Sequence, residues 1–344
     1  MLRPARPSRP PVPPMPSLPE HLLRSLQRAR WRRRLRTLTG DPALADRLME
    51  LGVVADRLSR RDGFLEVTAP PLPFPLRLPG ELFALDAWEH SAALVAAGAR
   101  FERAGEALRV RIDDREFEPI TAEEILILRE VFVDGAYHWN PTHPTVVWDI
   151  GANVGTASLF FAGRPEIRHV HAFEPLSANR ARFERHLALN PGRAAAVTLH
   201  PFAVGAVAET LRAAYAPRHR GSFSLREAPS AIGRLAGADL GNTHQETIRV
   251  IAARDAFAQV AATHPDAEIV AKVDCEGAER EILPALAEAG LLARIRTVLA
   301  ETHQGAGPSL AALLGGAGFD VLLHEPRSRD LGFLVAVNRR PAPR

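Results

Sequence analysis

Val146-Val-Trp-Asp-Ile-Gly-Ala-Asn-Val-Gly155 is the stretch on which the reading of this chain turns. Apolar residues run into Asp149, and glycines follow at 151 and 155. A short apolar run closed by glycines is a buried strand that passes through a tight turn into a helix. Such a turn brings backbone N–H groups close to a ligand with no side chain in the way. The rest of the chain either builds a sheet behind this turn or places groups in front of it.

Downstream, strand and helix patterns alternate, the mark of a parallel sheet covered by helices. Strands are expected at 146–149, 169–174, 197–202, 246–251, 268–274, 296–301, 319–324 and 332–337, with helices at 177–189, 277–289 and 309–316. The last two strands are separated by Pro-Arg-Ser-Arg-Asp, a link so short that they must form an antiparallel pair at the sheet edge. Residues 205–245, with a Gly-Ser-Phe-Ser turn at 221–224, read as an irregular insertion beside the site.

Upstream the chain has a different character. Residues 1–19 hold eight prolines and three arginines and read as disordered. Residues 20–38 read as a basic helix, but Leu22 and Leu26 project opposite to Trp31, Leu35 and Leu38. Without a single apolar stripe, a solvated basic helix is expected in preference to a membrane-surface one, although peripheral contact through the basic N-terminus stays open. Residues 41–60 read as a further helix capped by Asp41, and the prolines at 70, 71, 73, 75 and 79 are expected to break any regular element. Helices follow near 84–98 and 121–132, with a strand at 107–112 turning at Asp113-Asp114. The expected organisation is a basic tail and helix over 1–40, a mixed cap over 41–140 and a catalytic domain over 141–344.

Composition narrows the function. Residues 1–40 carry ten Arg against one acidic residue, so the tail holds +9 of a net +3 and the remainder is −6. The body is mildly acidic, and no specific nucleic-acid partner is indicated. A single Cys, at 275, excludes an internal disulfide and a Cys-based zinc site and suits the cytoplasm. No run approaches the ~18 apolar residues of a transmembrane helix. Of 43 basic residues only Lys272 is Lys, a hint that an ammonium is needed there.

The chemistry lies at the strand ends. The first turn is Gly-x-x-x-Gly with Asn153 where a dinucleotide fold wants its second glycine for the pyrophosphate. Glu174 ends the next strand, 23 positions after Gly151, where an acid accepts ribose hydroxyls. A ribose-binding acid without a phosphate cradle points to S-adenosylmethionine (SAM). In Ile269-Val-Ala-Lys-Val-Asp-Cys-Glu-Gly-Ala-Glu279, Lys272 and Asp274 share a strand face and can pair, and Glu276 follows at the strand end. Glu301 and His303 reach the same rim from the next strand, and histidine suits removal of a hydroxyl proton. Asp274, Glu276, Glu301 and His303 also suit a divalent metal, and spacing does not separate these options.

Six blocks together resemble the FkbM family of SAM-dependent methyltransferases: Val131–Tyr137, Asp149–Gly155, Phe173–Pro175, Pro201–Gly205, Lys272–Glu279 and Glu301–His303. The resemblance covers residues 120–337. It implies a class I, Rossmann-like α/β fold: a mostly parallel seven-stranded sheet with an antiparallel edge strand, here with a mixed N-terminal extension. It implies O-methylation of a sugar, glycolipid or natural product, with a small-molecule or saccharide acceptor. The implied SAM-binding set is Asp149, Gly151, Asn153, Gly155, Glu174, Pro175, Ala203 and Asp274. The implied catalytic set is Lys272, Asp274, Glu276, Glu301 and His303, with His303 or Asp274 as base. Cys275 departs from the aliphatic residue common in the family. The competing readings are a nicotinamide-dependent oxidoreductase, disfavoured by Asn153, and a non-catalytic binding protein, disfavoured by the intact acids and His303.

Overall fold

The structure is a computed structural model that describes residues 20–217, 220, 221, 224, 225, 243–328 and 330–339. The tail expected at 1–19, and much of the expected 205–245 insertion with half of its Gly-Ser-Phe-Ser turn, lie outside the described residues. The chain divides into two compact units: one runs to Ala69 and includes Phe74–Leu82, the other comprises Pro70–Pro73 and the chain from Phe83 onward.

In the first unit, α1 (Glu20–Thr39) is the expected basic helix, and Arg32 and Arg36 pair with Asp46 of α2 (Pro42–Glu50). Asp41 caps α2 by accepting hydrogen bonds from the N–H groups of Ala43 (2.8 Å) and Leu44 (3.2 Å). The helix expected to reach residue 60 stops at Glu50, because Gly52 takes a left-handed conformation (φ +72°) just past the last turn. An antiparallel sheet follows: β1 (Leu58–Arg61), β2 (Phe64–Val67) and β3 (Leu76–Leu78). β3 lies inside the proline-rich stretch expected to lack regular structure, since Leu76-Arg-Leu78 fits between Pro75 and Pro79.

In chain order come α3 (Leu82–Asp86), α4 (Trp88–Ala96) and a meander of β4 (Arg100–Ala104), β5 (Ala107–Ile112) and β6 (Arg115–Phe117). α5 (Ala122–Phe132) is capped by Thr121, whose hydroxyl accepts from the N–H of Glu124 at 3.1 Å. Then the large sheet begins: β7 (Thr145–Ile150), α6 (Thr156–Ala162), β8 (Ile167–Phe173), α7 (Ser177–Leu189), α8 (Pro191–Ala194) and β9 (Val197–His200). β10 (Ala203–Gly205), β11 (Glu209–Tyr215), β12 (His244–Ala252) and α9 (Ala253–Thr263) follow. The chain closes with β13 (Glu268–Val273), α10 (Glu279–Glu288), β14 (Ile295–His303), α11 (Gly307–Gly316), β15 (Phe319–Pro326) and β16 (Leu331–Asn338).

Seven strands form the main sheet in the order β15-β16-β14-β13-β7-β8-β9. All pairs are parallel except those of β16, which runs antiparallel to β14 and to the edge strand β15. β7 is buried at every position, as a central parallel strand covered on both faces must be. Trp148 and Ile150 pack with Phe257 of α9 and Ile282 of α10 on one face. Val147 packs with Val131 and Phe161 of α5 and α6 on the other. This order places the turn after β7 at the strand-order reversal, where open α/β sheets bind ligands.

Two expectations for the downstream strands also need correction. The strand at 246–251 does not join the main sheet; as part of β12 it forms a separate sheet with β10 and β11. Its alternating exposure marks a strand with one wet face, unlike the fully buried β7 and β13. Nor is the insertion irregular at its start, because β11 pairs antiparallel with β12 from Glu209 to Tyr215.

Candidate active site

The turn after β7 is held against the end of β13. A Cβ on Gly151 would sit 1.7 Å from the Asp274 carbonyl oxygen, and Gly151 has φ +76°, so only glycine fits there. Asn153 is also left-handed (φ 51°), a conformation that Asn tolerates well. Its backbone N–H donates to Glu174 Oε2 at 2.9 Å, while Glu174 Oε1 accepts from the Leu176 N–H (2.9 Å) and Asn179 Nδ2 (3.2 Å). These bonds fill all but part of the carboxyl's acceptor capacity. Burial outweighs them and pushes Glu174 up to about 7. A slot of about 60 Å³ lies here, lined by Gly151, Asn153, Glu174, Pro175, Ala203 and Asp274 among others.

Two residues of the expected cofactor set line neither the slot nor the larger cavity beside it. Asp149 is fully buried and lines neither the slot nor the larger cavity; it accepts from Ser158 Oγ at 2.6 Å and pairs with Lys272 at 3.1 Å. Gly155 starts α6, and a Cβ there would meet the Phe183 ring at 2.2 Å, so this glycine serves the packing of α7.

Lys272 ties the turn together. Its ammonium donates to the Gly151 carbonyl (2.6 Å) and lies 3.1 Å from Asp149 and 3.6 Å from Asp274. Burial works against its charge, but the two carboxyls prevail and raise its pKa. A compact ammonium serves these convergent acceptors, and a planar guanidinium does not match them.

Beside the slot lies a cavity of about 930 Å³. It is lined by all five residues of the expected catalytic set, Lys272, Asp274, Glu276, Glu301 and His303, and it shares Gly151, Asn153, Asp274 and Glu276 with the slot. Tyr137, after α5, donates its hydroxyl to Asp274 Oδ2 at 2.8 Å. His303 Nδ1 lies 3.1 Å from the fully buried Glu279, which also accepts the His303 backbone N–H at 2.7 Å, and Nε2 lies 3.5 Å from Glu276. Burial opposes charge on His303, but Glu279 and Glu276 overcome it and raise the imidazole to about 10. Burial pushes Glu276 up to about 8 against the pull of His303, and burial with neighbouring Asp274 does the same for Glu301. Arg327 spans Glu130 (3.5 Å) and Glu301 (3.9 Å).

Asp274, Glu276 and His303 each offer one ligand atom within 4.8 Å of the others, a donor set that suits a divalent cation; Glu301 stands outside that group. Sequence reading missed the roles of Tyr137, Glu279, Glu130 and Arg327. Tyr137 and Glu279 stand inside motif blocks, whereas nothing local marks Glu130 or Arg327.

The sheet order, the glycine turn and the strand-end acids together define a Rossmann-like class I methyltransferase. The FkbM methyltransferase domain matches residues 149–321, and the chain belongs to this family. It is 30% identical over 234 residues to the 31-O-demethyl-FK506 methyltransferase FkbM of Streptomyces tacrolimicus, covering 59% of this chain and 84% of that one. It is 29% identical over 221 residues to methyltransferase sdnD of Sordaria araneosa, covering 58% and 83%. The crystal structure of methyltransferase FkbM from Methylobacillus flagellatus KT superposes with a TM-score of 0.39 at 15% identity, over 61% of this chain and 47% of that one. This chain thus spans about half of that structure, and so slight a likeness carries no weight beside the strand order.

Proposed function

We propose that this methyltransferase uses SAM to methylate a hydroxyl oxygen of a sugar, glycolipid or natural product in the cytoplasm. The observation that carries the reading is the shared rim. Asp274 and Glu276 line both the narrow slot beside the ribose-type acid Glu174 and the larger cavity. SAM supplies an electrophilic methyl group on a sulfonium sulfur. The residues present fit it: the glycine turn leaves room for close approach, and Glu174 keeps acceptor capacity for a ribose hydroxyl. Phe173 and Val204 give the slot an apolar lining suited to a purine.

Asp274 is the base in this reading. Tyr137 and Lys272 both engage Oδ2, which leaves Oδ1 to take the proton that the acceptor hydroxyl gives up. His303, held charged by Glu279 and Glu276, is unsuited to accept a proton and acts instead as a fixed cation beside the carboxyls. Most of the rate then comes from alignment of the reactants. The relative named for 31-O-demethyl-FK506 supports an oxygen acceptor. Titration calorimetry of the purified protein with SAM tests the first step: micromolar binding is expected, and binding of NADH without SAM would restore the oxidoreductase reading.

A further inference from the structure

Arg220 stands outside every motif block of the sequence, yet it lines the slot. Its side chain is 11% exposed, and its guanidinium is spread over three acceptors. Nε donates to Asn179 Oδ1 at 3.0 Å, Nη1 to the Pro217 carbonyl at 2.9 Å and Nη2 to Glu124 Oε1 at 2.8 Å. The next N–H, of Gly221, donates to Glu123 Oε2 at 2.9 Å. Arg220 and Gly221 are thereby tied to α5, and Arg220 also to the first turn of α7.

Asn179 turns that anchorage into an orientation at the donor slot. Its amide has one end that accepts and one that donates. A guanidinium only donates, so Arg220 claims the oxygen end. Nδ2 is left facing Glu174 Oε1, to which it donates at 3.2 Å. Turned over, the amide would set its oxygen against the Glu174 carboxyl and its NH2 against the guanidinium, and both bonds would be lost. A cation on the amide oxygen also polarises the amide and strengthens the bond that Nδ2 gives. The far end of the guanidinium rests on a fixed support, because the buried Glu124 also accepts the Ile120 N–H at 3.0 Å.

We propose that Arg220 is a positioning residue for the methyl donor: it fixes the Asn179 amide, which in turn sets the Glu174 carboxyl for the ribose hydroxyls. The proposal rests on the methyl-transfer reading and adds to it a residue that acts through another side chain.

The test is titration calorimetry of the full chain with two probes, S-adenosylhomocysteine (SAH) and 5′-methylthioadenosine, which keeps the adenosine and lacks the amino-acid part. Removing Arg220 alone would strip Glu124 of its nearest cation, so the test variant combines Arg220→Ala with Glu124→Gln, and Glu124→Gln alone is the control. The control is expected to bind both probes within about two-fold of wild type. The combined variant is expected to bind both about five- to ten-fold more weakly than the control. With Asn179→Ala already present, the same removal of Arg220 is expected to cost less than about two-fold, because the relay is already cut. A loss that persists undiminished beside Asn179→Ala overturns the proposal, as does unchanged affinity in the combined variant. A loss confined to SAH also overturns it, by placing Arg220 on the amino-acid part of the donor. Wild-type protein that binds neither probe is a separate result: it removes the methyl-transfer reading and this proposal with it.

Discussion

The slot and the cavity share a rim but are built in opposite ways. In the slot the acid, Glu174, is satisfied by two backbone N–H groups and one amide from a short stretch of chain. In the cavity, charged side chains from α5, β13, β14 and the β15–β16 turn satisfy one another across long gaps in sequence. A site made of backbone is rigid and reads one ligand; a site made of side chains can be re-cut by substitution without disturbing the sheet.

The largest expected effect comes from removing what joins the two regions. Lys272→Ala leaves Asp149 buried and unpaired, and a loss of about 3–5 kcal/mol of stability is expected by denaturant titration, together with loss of SAM binding. A variant of wild-type stability would show that the turn does not depend on this ammonium. Next in size is a pair of substitutions that should part the regions. Glu174→Gln is expected to weaken SAM about ten-fold, whereas Glu301→Gln leaves SAM affinity within about two-fold and affects only the acceptor. Calorimetry on both variants checks this, and a similar loss in both would merge the two regions into one site.

The smallest effect is a contrast in pH dependence. On β8 and β9, His171 stacks on His200 and meets His169 at a tilt, and burial with neighbouring imidazoles holds His171 down to about 4. The unfolded chain therefore takes up protons first, and this cluster costs stability as pH falls from 6.5 towards 4. At the cavity the sign reverses. His303, raised to about 10, contributes stability that is fully present below 6.5 and is lost as pH rises through 10. Thermal melts should show His171→Asn flattening the acid limb and His303→Gln flattening the alkaline limb. The opposite assignment of limbs would reverse the electrostatics given for the two regions.

The same difference explains what could be read from sequence. Gly151, Asn153, Glu174, Pro175 and Ala203 stand at or just past the ends of consecutive strands, so linear order alone brings them to the lining of one slot. Asp149 and Gly155 belong to the same motif, but their buried contacts with Lys272 and Phe183 are tertiary, and the motif alone cannot separate ligand contact from packing. Tyr137 stands inside a motif block, but its reach to Asp274 spans 137 positions and is tertiary, and Arg327 reaches Glu130 from a turn that no local pattern announces. The strand at 246–251 is present within β12, but alternation identifies a strand and not the sheet it joins, and this one pairs with β10 and β11.

The most direct test of the division between donor slot and acceptor cavity is a crystal structure with SAH bound. The expected result is a ribose hydroxyl on Glu174, with the sulfur turned towards Asp274 and the larger cavity left open. SAH lodged in the larger cavity, with Glu174 untouched, would contradict it.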